Sequence, residues 1–75
     1  MRLYVFEVVK DGESIMAKHS VALPDLTAAW SRIANLARIF DEPGCKIRVK
    51  DEAGEIVILV GVATARRLVA NGRVA

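Results

Sequence analysis

The side chains best equipped for chemistry are few: a single histidine, His19, and a single cysteine, Cys45. His19 lies between Lys18 and Ser20, with Asp25 the nearest following carboxylate. It would serve as a general base, but no nucleophile is visibly paired with it, so a partly exposed strand or loop histidine is expected. Cys45 has basic neighbours, Lys46 and Arg48, that favour a thiolate nucleophile. Its phase matches Ile47 and Val49, however, and that predicts a small buried core residue. One cysteine allows no internal disulfide, and one cysteine with one histidine makes no zinc set. The acidic pairs Asp41-Glu42 and Asp51-Glu52 fall at an expected helix end and in an expected turn, where solvated acids are ordinary. Gly12, Gly44, Gly54, Gly61 and Gly72 are scattered singly, so no phosphate-cradling loop is written here. These residues argue against an enzyme and imply neither metal nor cofactor.

The most specific polar feature is basic. Lys46, Arg48 and Lys50 share one face of an alternating stretch, and with Arg66 and Arg67 they would form a phosphate-contacting stripe for nucleic acid or a partner-contact surface. A solvated strand face whose lysines discourage aggregation is the simpler reading. The net charge of +2 is too small to decide for nucleic acid, although all nine acidic residues lie within residues 1–55 and residues 56–75 carry Arg66, Arg67 and Arg73 with no acid. The aromatics that would stack bases, Tyr4, Phe6, Trp30 and Phe40, fall at expected core positions.

The elements that must position these residues follow from periodicity. Residues 2–9, rich in β-branched and aromatic types with Glu7 the only interior charge, predict a first strand. Asp11-Gly12 supplies a two-residue hairpin turn, because glycine adopts positive φ without steric cost. A second strand is expected from Ser14 into Lys18, extending at most to Val21. Leu23-Pro24-Asp25-Leu26 reads as a helix entry capped by Asp25. Leu26, Ala29, Trp30, Ile33, Leu36, Ala37 and Phe40 then recur at three- and four-residue steps, predicting about 16 helical residues that end near Phe40 or Asp41, before Pro43 and Gly44. Cys45–Lys50 alternates strictly as a third strand, Asp51–Gly54 makes a hairpin connection, and Glu55–Val60 forms a fourth strand with no polar face. A short helix over Thr64–Ala70 is predicted, with Thr64 as its cap and Asn71-Gly72 as its stop.

The fold class is therefore α+β: a two-layer β-β-α-β-β core over residues 2–60, with a C-terminal helix or tail over 61–75, in one domain of 75 residues. The sheet is expected to be four-stranded and antiparallel, with one main helix on one face and the first strand between the second and the third. Hydrophobic residues make up 53% of the chain and charged residues 27%, which excludes disordered and collagen-like classes. The longest charge-free run, Ile56–Ala65, is far short of the roughly 20 residues of a membrane span. The run Leu3–Phe6 is too short for the centre of a signal peptide, so no membrane partner and a cytoplasmic location are expected.

One helix cannot cover both faces of strands that are apolar on both. The second face must be covered either by the C-terminal helix or by another chain, and a homodimer, to which Leu68 and Val69 contribute, is favoured on size. Ile39, on the helix face away from the core stripe, supports an external contact.

Tyr4, Phe6, Asp11 and Gly12 in the first strand and turn, Leu23-Pro24-Asp25-Leu26 with Ala28 and Ala29 at the helix entry, and Val49–Gly54 at the second hairpin together resemble a group of short alphaproteobacterial proteins catalogued only as a domain of unknown function. The resemblance covers residues 2–60 and implies the ββαββ fold. It lends no catalytic residue, since the group has no assigned chemistry. The sequence departs from that pattern at Ala17-Lys18-His19-Ser20, where such proteins tend to carry an acidic, glycine-containing stretch, and at Gly61-Val62, where Pro-Phe is usual.

Overall fold

Two tight turns set the pairing of the sheet. In a computed structural model, which describes residues 1–16 and 18–70 with Leu68–Ala70 as backbone alone, strand β1 runs over Arg2–Lys10 and turns at Asp11 and Gly12. Both turn residues have positive φ, 52° and 81°, as a two-residue hairpin with right-twisted strands requires. The chain returns as β2, Glu13–Ser14, with Val9 opposite Ser14, and resumes as β3, His19–Leu23, which pairs with the same edge of β1 from Phe6↔His19 to Arg2↔Leu23. The expected second strand is thus split and shifted. Ser14 pairs with Val9 and His19 with Phe6, so the returning chain has two residues more than β1 between these pairs, and the Ile15 N–H donates to the Val8 carbonyl at 2.8 Å. Two extra residues preserve the inside and outside phase, which lets the strand recover its register.

On the other edge of β1 lies β4, Cys45–Lys50, and beyond it β5, Ile56–Gly61, giving the antiparallel order β2-β1-β4-β5 with β3 beside β2 on β1. β1 therefore lies between its hairpin partner and β4, as expected. The β4–β5 turn is held by Asp51, whose carboxylate accepts the Ala53 and Glu55 N–H groups at 2.9 and 3.0 Å. An irregularity follows: Lys50 faces Ile56 and Val49 faces Ile58, so Val57 is the extra residue of a bulge.

Helix α1 spans Ala29–Ile39, 11 residues rather than the expected 16. Its entry is a tight turn: the Ala28 N–H donates to the Asp25 carboxylate at 3.0 Å, and the next two N–H groups reach back three residues to the Leu26 and Thr27 carbonyls. Asp25 thus caps this turn, and the regular helix starts four residues later. Ala29, Ile33 and Ala37 are fully buried against Tyr4, Phe6, Val8, Ile47 and Val49, while Leu26, Trp30, Leu36 and Phe40 pack around them. Each large apolar side chain removed from water here contributes about 2 kcal/mol.

Helix α2, Val62–Ala70, follows β5 directly, so Thr64 lies inside its first turn and is not the cap. The expected stop at Asn71-Gly72 lies outside the described residues. Val62 and Ala65 complete the same core, and Arg66 pairs with Asp41, just beyond α1, at 2.5 Å. α2 therefore lies beside α1, not on the second sheet face. The Cα envelope, 31 × 30 × 16 Å, is that of two layers.

Candidate functional site

With both helices on one side, the odd-numbered residues of β1 and the even-numbered residues of β4 form an uncovered face. Cross-strand pairing places Glu7 beside Arg48 and Arg48 beside Leu59, with Val5, Lys50 and Ile56 in the next row and Val9, Lys46 and Gly61 in the row on the other side. Glu7 is the one buried charged residue among those described, 1% exposed although no helix covers it. The side chains of Arg48 and Lys50 enclose it: Arg48 Nη2 donates to Glu7 Oε2 at 2.9 Å, and Lys50 Nζ stands 3.4 Å from Oε1. The lysine is in ion-pairing range without hydrogen-bond geometry, so Oε1 and Arg48 Nε are buried without hydrogen-bond partners. The Arg48 hydrogen bond holds the Glu7 carboxyl below its ordinary range. It outweighs the opposing effect of burial, and Lys50 adds to the lowering.

Around this cluster the face is apolar. Leu3, Ile56 and Leu59 are each about half exposed, at 49%, 51% and 58%, and Val5 and Val9 are partly exposed. Ala22 and Ser20 of β3 extend the face opposite Leu3 and Val5. A charged centre with an apolar surround can bind and orient a partner surface; it presents no nucleophile paired with a base.

The residues singled out for chemistry are placed apart. His19 is exposed at the β3 edge on the helix side, opposite Phe6. Cys45 is buried on the core face, as its phase predicts. The two acidic pairs are structural rather than merely solvated: Asp41 holds Arg66, Glu42 holds Lys10 at 3.0 Å, Asp51 staples its turn, and Glu52 accepts the Leu3 N–H at 2.8 Å. Among the described residues no group of three histidine, cysteine or acidic side chains is placed to hold a metal, and no helix is long and apolar enough to cross a membrane.

The five basic residues do not assemble into one stripe. Lys46, Arg48 and Lys50 lie on the uncovered sheet face, with the last two turned onto Glu7. Arg66 and Arg67 lie on α2 in the other layer, Arg66 engaged by Asp41 and Arg67 exposed. The residue that sequence reasoning missed is Glu7. Its signal was a lone charge in an apolar strand at the phase of Val5 and Val9, but only the β1–β4 register shows that it meets Arg48. Leu68 and Val69, expected to contribute to a dimer, have side chains outside the described residues. Compared with known proteins, the chain matches no family model, no curated protein and no solved structure.

Proposed function

We propose that the protein is a non-catalytic interaction module that works as a homodimer, two copies packing through their uncovered sheet faces. The observation that supports this is the placement of both helices on one side, which leaves Leu3, Ile56 and Leu59 exposed around the Glu7 cluster. A nine-residue β1 flanked by β3, β4 and β5 of five or six residues each, at about 3.3 Å per residue and 4.8 Å between strands, gives a face of roughly 400 Å² in projection. Side-chain relief raises its accessible area toward the lower end of the range for stable interfaces, whose standard is roughly 800 Å² per partner.

Magnitudes favour a second copy despite like charges. Covering the exposed halves of Leu3, Ile56 and Leu59 contributes about 1 kcal/mol each, in both copies. The cluster keeps one residual positive charge after Glu7 is counted, and two such charges some 10 Å apart at an interface cost about 1–2 kcal/mol. Burial wins. We also propose a cytoplasmic location, from the short, charge-interrupted apolar runs and the lone cysteine, and membership of the alphaproteobacterial group the chain resembles, from the turn and helix-entry motifs.

Size-exclusion chromatography with light scattering tests the dimer: at roughly 50 μM the expected mass is twice 8.2 kDa. Leu59→Arg should weaken the dimer by about a hundredfold, near 3 kcal/mol, while leaving the far-UV circular dichroism unchanged. A monomer mass for the unaltered chain at that concentration contradicts the proposal. Added salt should tighten the dimer by screening the residual charges. Nucleic-acid binding through Lys46 and Arg67 would respond in the opposite sense, weakening with salt and retarding a random oligonucleotide at low ionic strength.

A further inference from the structure

The helix side of the sheet has a second unspent feature. β3 bonds only to β1 among the described residues, so every second N–H and C=O of His19–Leu23 points outward from the sheet edge. Along that edge, between β3 and α1, runs a groove of about 430 Å³. Phe6, Met16, Val21 and Leu36 make its apolar floor. Arg32 and Arg38, both exposed, stand on its α1 rim with Asn35 between them, and no acidic side chain lines it. Arg38 donates to Asn35, which orients the guanidinium without neutralising it.

From this geometry we infer that an extended acidic peptide segment adds as a further strand to the outer edge of β3, with its alternate side chains entering the groove beneath α1. The exposed backbone edge supplies main-chain hydrogen bonds that any peptide can use. Selectivity comes from the groove. His19 and Val21 face the helix side, and peptide residues directly opposite them do the same. Arg32 and Arg38 are six residues apart, about 9 Å along the helix axis, whereas positions i and i+4 of a strand are about 13 Å apart. Arginine side chains reach across that difference. The favoured occupant is acidic at i and i+4 and apolar at i+2, the apolar residue sitting over Val21 and Leu36 and the two carboxylates meeting Arg32 and Arg38.

This site lies on the helix side, so it does not depend on how the opposite face is covered. The proposal can fail while the dimer stands, and the reverse. The test is an NMR titration of the full chain with a capped peptide of sequence Ser-Glu-Thr-Leu-Thr-Glu-Ser. Saturable amide shifts confined to residues 19–23 and 32–39 are expected, with affinity falling at least tenfold when lysine replaces both glutamates. The double variant Arg32→Glu and Arg38→Glu alters only exposed positions, and it should invert that preference with the spectrum otherwise retained. Four outcomes overturn the proposal: no saturable shift up to about 1 mM peptide; shifts centred on β5 or the open face; equal binding of the lysine peptide; or occupation of the groove by an oligonucleotide and not by the peptide.

Discussion

Glu7 concentrates the energetics of the uncovered face in one carboxylate. Removing one partner of a buried ion pair leaves the other charge uncompensated, which costs about 3–5 kcal/mol in full burial. Arg48 and Lys50 retain 30% and 28% side-chain exposure and can swing toward water, so Glu7→Gln should cost about 2–3 kcal/mol in urea unfolding. The pH dependence has a definite sign. Because the folded carboxyl lies below its ordinary value, its stabilising contribution is complete at pH values above the unfolded pKa of about 4.3 and is lost as pH falls through the folded value. Urea midpoints measured between about pH 5 and pH 2 should therefore fall more steeply in the unaltered protein than in the Glu7→Gln variant. Parallel slopes would show that Glu7 is not ion-paired. At this scale sequence phase was informative about burial: Cys45, Ile47 and Val49 are inward because a strand alternates. Partnership was not legible, since the spacing of Glu7 and Arg48 along the chain says nothing of which β1 residue lies opposite which β4 residue.

The two hairpins and α1 show which signals carry an element's position. Asp11-Gly12 and Asp51–Gly54 were readable because positive φ and side-chain capping are local requirements that few residue types meet. Asp51→Ala removes the acceptor for two turn N–H groups and should cost about 1–2 kcal/mol, measured by thermal or urea unfolding, with the fold retained. Gly12→Ala, at φ 81°, should cost about 1 kcal/mol even though a Cβ there would meet no neighbour within 4 Å, because the penalty is conformational rather than steric crowding by the core. The split between β2 and β3 was hidden for the converse reason. A two-residue insertion preserves alternation, and residues 14–18 carry no glycine or proline to mark it. The late start of α1 has a similar cause. Leu26 belongs to the apolar stripe by spacing, but the Asp25 side chain and the three-residue backbone steps after it fix a tighter turn before the helix proper.

For the whole molecule, composition indicated more apolar surface than one helix hides, and α2 decided where the excess is left. By joining α1 over the core through Val62 and Ala65, it adds to the covered side and leaves the other side open. The sequence could not show this, because the amphipathic pattern of α2 fits either face equally well. An Ile33→Ala substitution should cost about 2–4 kcal/mol in both the monomeric Leu59→Arg background and the unaltered chain, separating core packing from face packing. The most direct measurement of the central claim is an isotope-filtered NOE spectrum of an equimolar mixture of labelled and unlabelled chains. Homodimerisation through the open face predicts intermolecular NOEs at the methyls of Leu3, Val5, Val9 and Leu59, and none at Ile33 or Ile47. No intermolecular NOE at those four residues, with their methyls in contact with solvent alone, would contradict it.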